Sequence, residues 1–174
     1  MTQAERIYYD RRAAEYDNWY LGTGVFAARD RPGWHAEVAA LIRRLRGVGM
    51  RTVLDAACGT AFLTQHLAGD TTALDQSMAM LRIARRRVPG GRGLQGDALQ
   101  PPFGVGTFEC VTAAHFYGHL NAEMRQRFLG EAPPGSWWWM RRGAQASSPR
   151  KHRSACCRTD RATEFINATS RRHS

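Results

Sequence analysis

This sequence predicts a doubly wound, mostly parallel α/β sheet with helices at its N-terminal side, and three observations carry that reading. Short apolar runs alternate with helical patterns between residues 51 and 132. Three of the runs end on an acid: Asp55, Asp75 and Asp97. The first and second are separated by a tight turn and a short amphipathic stretch, the rhythm of a βαβ unit.

The elements follow in order. Residues 3–20 set Ile7, Tyr8, Ala14, Tyr16 and Trp19 among charged neighbours, which predicts one surface helix. Glycines and Pro32 mark a loop, and residues 34–45 return to helical spacing through Val38, Leu41, Ile42 and Leu45. Residues 51–55 read as a buried strand, 62–67 as a helix and 71–75 as a second strand. Ser77 is placed to cap a helix running through Val88. Residues 93–95 form a third strand, 107–115 a fourth, and 122–132 a helix.

Composition narrows the function. The chain has 174 residues, enough for one domain with a core, and 43% of them are hydrophobic. The start lacks the apolar segment of a signal peptide and no run reaches membrane-span length. Four cysteines show neither paired ligand spacing nor a disulfide framework, so a cytoplasmic protein with reduced thiols and no metal is expected. The net charge of +10 is uneven: residues 1–132 carry +3 and residues 133–174 carry +7. Only the tail therefore invites a nucleic-acid reading.

In a doubly wound sheet, ligands bind at the carboxyl ends of the strands. Asp75, twenty positions after Asp55, suits the two hydroxyls of a ribose, and Asp97 suits an exocyclic amine. Strand-end aspartates also cap turns, but three in register favour a ligand. A dinucleotide loop needs glycines where this chain has Ala57, Gly59 and Phe62, and Asp55 would repel a diphosphate. A nucleotide-dependent oxidoreductase is thereby disfavoured.

The motifs "VLDAACGTAFLT", "ALDQSMAML", "GDALQPPF" and "FECVTAAHFYGHL" occur in this order, after a "YDRRAAEYD" opening. Over residues 4–132 the chain resembles the class I S-adenosylmethionine-dependent methyltransferases, which have a Rossmann-like sheet. The resemblance implies that Asp55, Ala57, Cys58 and Gly59 surround the methionine part of the cofactor. It implies that Asp75 holds the ribose, with Gln76 and Met80 at the adenine face, and that Asp97 and the backbone of Ala98 read the adenine edge. Ala114 and His115 would approach the methionine amine and the acceptor, and Tyr16 would close the site from above. A small-molecule acceptor is expected. His115 and His119 are candidate general bases, needed only where the acceptor sheds a proton; loop histidines satisfied by backbone or water are the alternative. The family usually has glycine at position 61. Ala61 is harmless if helical there, but costs about 1–2 kcal/mol if φ is positive.

Residues 133–174 show no strand to extend the sheet beyond the fourth. Trp137 to Met140 must be encoded TGG TGG TGG ATG, and regrouping from the last base of the Ser136 codon spells Val-Val-Asp. That is the buried strand ending in an acid that is missing here. The expectation is a methyltransferase domain over 1–132 (helices 1–48, cofactor core 49–132) whose C-terminal strands are lost to a frameshift. The alternative is a basic arm that binds nucleic acid, with "SWWWMRR" supplying stacking surfaces. The oligomeric state and the acceptor are not legible.

Overall fold

The computed structural model describes residues 3–47, 49–104 and 106–130. The expected tail over 133–174, with its Trp cluster and Cys156 and Cys157, lies outside the described residues, as do residues 131 and 132 of the last predicted helix.

Among the described residues, four parallel strands form one sheet: β1 (Thr52–Ala56), β2 (Asp70–Asp75), β3 (Arg92–Gln95) and β4 (Cys110–Thr112), in the spatial order β3-β2-β1-β4. The order reverses at β1, so the crevice between the ends of β1 and β4 is a topological switch point. The helices are α1 (Gln3–Arg12), α2 (Asn18–Leu21), α3 (Trp34–Arg46), α4 (Met78–Arg87), α5 (Phe116–His119) and α6 (Ala122–Gly130). This is the doubly wound class the sequence predicts.

Alternation along β1 sends Leu54 and Ala56 to one face, where Leu74, Val111, Leu120 and Phe128 join them in a core beneath α5 and α6. A second cluster unites Tyr20, Leu45 and Leu63 with the apolar stripe of α3. Ser77 caps α4 as expected, its Oγ accepting from the Met80 amide at 3.1 Å.

Three elements differ from expectation. Residues 3–20 are broken into α1, a single 3-10 turn (Ala13–Glu15) and α2, because Asp17 is drawn into tertiary contacts described below. The helix expected over 62–67 is one 3-10 turn, Thr64–His66. Gly69 then leads into β2: a Cβ there, at φ +106°, would lie 2.1 Å from the Met50 carbonyl oxygen, so only glycine fits. The fourth strand covers only residues 110–112 of the expected 107–115, its ladder with β1 running from the Val53–Cys110 pair to the Asp55–Thr112 pair.

Candidate cofactor site

The turn after β1 is built from left-handed backbone. Ala57, Gly59 and Ala61 have φ of +59°, +57° and +60°. Glycine adopts this region freely, but an L-residue pays about 1–2 kcal/mol there. Ala61 thus takes the costlier of its two expected conformations, and Ala57 shares its strain. The turn closes through the Cys58 amide donating to the Leu74 carbonyl and the Ala61 amide to the Cys58 carbonyl, both at 3.0 Å.

Asp75, at the end of β2, fastens this turn. Its Oδ2 accepts from the Gly59 amide and its Oδ1 from the Ser77 amide, each at 2.8 Å. Burial raises its pKa despite those bonds. The Gln76 amide also favours its charged form, and a carboxylate with about four lone-pair sites still has room for a further donor such as a hydroxyl. Tyr16 lies directly over the turn: a Cβ on Gly59 would sit 3.0 Å from Tyr16 Cε1. Burial pushes the Tyr16 hydroxyl up, and with Tyr9, in edge contact at 6.2 Å, it forms an aromatic roof.

The remaining expected residues fall into distinct environments. Asp55 is fully enclosed, its oxygens accepting from the hydroxyls of Thr64 and Thr112 (2.8 Å for Thr112), and burial pushes its pKa up to about 6. It lines a small cleft with Leu45, Leu63 and Ala114. Cys58 keeps its thiol protonated, burial raising its pKa well above the usual range. Gln76 accepts from Gln95 Nε2 through its carbonyl at 3.0 Å. Met80 is buried within α4. Asp97 forms a turn after β3, Oδ1 accepting from the Leu99 amide at 2.9 Å, and Ala98 packs into the core. His115 is packed against Trp19 and Tyr20, with ring centroids 5.9 and 5.2 Å apart. His119 is exposed at the end of α5. The two histidines are therefore not equivalent.

Sequence reading missed how the N-terminal segment is held over the turn. Asp17 pairs with Arg87 and accepts from Thr60 Oγ1, while Arg87 Nη1 donates to the Thr60 carbonyl at 3.0 Å. Asp10 accepts from Ser77 Oγ and from the Ala79 amide. Partners 27 to 70 residues apart leave no local signal, and the Arg85–Arg87 run reads as an ordinary solvated helix end.

Among the described residues no group of His, Cys, Asp and Glu is arranged to hold a metal, and no helix is long and apolar enough to cross a membrane.

Residues 53–133 match the family model described as a methyltransferase domain. A demethylmenaquinone methyltransferase of Thermotoga maritima is 34% identical over 130 residues, covering 71% of this chain and 52% of that protein. A dTDP-3-amino-3,6-dideoxy-alpha-D-glucopyranose N,N-dimethyltransferase of Streptomyces fradiae is 33% identical over 154 residues, covering 79% of this chain and 58% of that protein. Among solved structures, the DhpI-SAH complex superposes with a TM-score of 0.62 at 28% identity, covering 78% of this chain and 65% of that one. The chain spans about half the length of the curated relatives it matches.

Proposed function

We propose that this chain, whose residues 53–133 carry a domain of the methyltransferase family, binds S-adenosylmethionine and transfers its methyl group to a small-molecule acceptor. The observation that supports this most is the Gly59–Asp75 fastening. It sets a tight left-handed turn and a carboxylate with room for a further donor side by side at the ends of β1 and β2. S-adenosylmethionine supplies an activated methyl on a sulfonium.

In this reading Asp75 takes the ribose hydroxyls, Gln76 and Met80 border the adenine, and Asp97 with the Ala98 backbone reads its edge. Ala57, Cys58 and Gly59 border the methionine portion, and Tyr16 covers it. Asp55 acts from beneath, holding the turn through Thr64 and Thr112. Ala114 borders the methionine amine. Methyl transfer is an in-line displacement, so the main task of the protein is alignment. His115, packed by Trp19 and Tyr20, stands on the acceptor side and takes the proton that an acceptor sheds; exposed His119 is the second candidate. We assign this work to residues 1–132.

Thermal unfolding with and without S-adenosylhomocysteine tests the assignment. Saturating ligand is expected to raise Tm by several degrees, with NAD leaving it unchanged. A shift with NAD alone would refute it.

A further inference from the structure

Arg87 closes a three-membered polar ring against the turn that follows β1. Its Nη1 donates to the Thr60 carbonyl at 3.0 Å and to Thr60 Oγ1 at 2.9 Å. Its Nη2 pairs with Asp17 Oδ2, and Thr60 Oγ1 donates to the other oxygen of the same carboxylate. Every member of the ring thus touches the other two. Thr60 is buried and both charged side chains are largely shielded, so water competes little with these bonds.

The ring joins three parts of the cofactor site. Asp17 follows Tyr16, which lies over Gly59. Thr60 stands between Gly59, tied to Asp75 through its amide, and Ala61, left-handed at φ +60° with its methyl fully buried. Arg87 ends α4, the helix that starts just after Asp75 and carries Met80. Roof, turn and helix therefore meet at one guanidinium.

Holding the N-terminal segment does not by itself call for this arrangement. Asp10 already ties that segment to the start of α4 through Ser77 Oγ and the Ala79 amide, and the Asp17–Arg87 pair ties it to the end. The two bonds from Arg87 to Thr60 act on the turn instead. Left-handed alanines persist only where their surroundings over-determine them. The amides of Cys58, Gly59 and Ala61 are each held by an acceptor, and Arg87 holds the Thr60 carbonyl. A planar guanidinium can serve a carboxylate, a carbonyl and a hydroxyl at once, whereas the compact ammonium of lysine lacks the fixed fork.

We propose that Arg87 is a positioning residue for the cofactor: oriented by Asp17, it fixes the Thr60 carbonyl and hydroxyl and so holds the turn in the shape that the methionine portion meets beneath Tyr16. Arg87 acts through Thr60 and not by contact with the ligand. The identity of that ligand rests on the methyltransferase reading, but the hold of Arg87 on the turn does not.

Hydrogen exchange followed by NMR on the ligand-free full chain, paired with calorimetry using S-adenosylhomocysteine, tests this. R87K keeps the charge and loses the fork; T60V keeps the shape and loses the hydroxyl. Each should raise exchange at the Gly59 and Ala61 amides at least about tenfold relative to the amides of β1 and β2. Each should also weaken S-adenosylhomocysteine about tenfold, and T60S, which keeps the hydroxyl, should recover most of both losses. If R87K fails to fold by circular dichroism, T60V against T60S decides. Exchange unchanged at the turn, or raised equally in turn and sheet, would reduce the ring to a general stabiliser and overturn the proposal. So would S-adenosylhomocysteine affinity unchanged in a variant whose turn has loosened. An unmodified chain that does not bind S-adenosylhomocysteine, with the turn still loosened in R87K and T60V, would count against the donor assignment and leave the hold of Arg87 on the turn established.

Discussion

The Gly59 amide donates to Asp75 Oδ2 at 2.8 Å, so the turn that follows β1 is tied to the acid that ends β2. Without that bond the left-handed turn would depend on Ala57 and Ala61 holding a conformation unfavourable to both. The predictions follow from this fastening and from what surrounds it.

Ala57→Gly should stabilise the protein. Relief of the positive φ, less the entropy glycine adds to the unfolded chain, gives a net gain of about 1 kcal/mol. Ala61→Gly should be closer to neutral, because that methyl is fully buried and its loss offsets the relief. Urea midpoints of the two variants measure this; a loss of stability in Ala57→Gly would show that the turn is not strained there.

Asp17 and Arg87 should prove energetically coupled. Their side chains are 16% and 27% exposed, so removing either leaves a partly buried polar group unpaired. Asp17→Ala should cost about 1–3 kcal/mol and raise hydrogen exchange across residues 3–21 while sparing the sheet. A double-mutant cycle of Asp17→Ala with Arg87→Ala measures the coupling, expected at about 1 kcal/mol or more.

Stability should fall as pH rises from about 4 to 6. The folded-state pKa of Asp55 is about 6 against 3.8 for the ordinary side chain, so in this window the native state holds the extra proton and ionisation favours unfolding. The full effect is about 3 kcal/mol, lost as pH climbs through the folded pKa. Asp75, also raised, acts with the same sign. Asp55→Asn should flatten the profile of unfolding free energy against pH and leave a residual slope from Asp75. An unchanged slope in that variant would remove Asp55 as its source.

The frame reading of residues 133–174 makes a prediction about the gene. The nucleotides after the Ala132 codon, read in the frame that turns Trp137–Met140 into Val-Val-Asp, should continue open with a composition like that of residues 1–132. An early stop codon in that frame would dismiss a frameshift and return weight to a basic arm.

What the sequence disclosed was local. β1 and β2 are short apolar runs ending on acids, and Ser77 opens α4 with a residue whose hydroxyl can cap it; such signals lie within a few positions. Asp55, Asp75 and Asp97 fall at strand ends for the same reason. The left-handed turn was harder to see, because two of its three positive-φ positions carry alanine. The broken N-terminal helix was hidden further, since nothing near Asp17 announces Thr60 or Arg87. Likewise, residues 115 and 119 look alike in sequence, and only the packing of Trp19 and Tyr20 separates them.

Calorimetric titration of the chain and its Asp75→Ala variant with S-adenosylhomocysteine, and in parallel with NAD, tests the central claim most directly. Single-site binding of S-adenosylhomocysteine, weakened about 100-fold in the variant by loss of two charge-assisted hydrogen bonds, is the predicted result. Binding of NAD in its place, or equal S-adenosylhomocysteine affinity in both proteins, would contradict it.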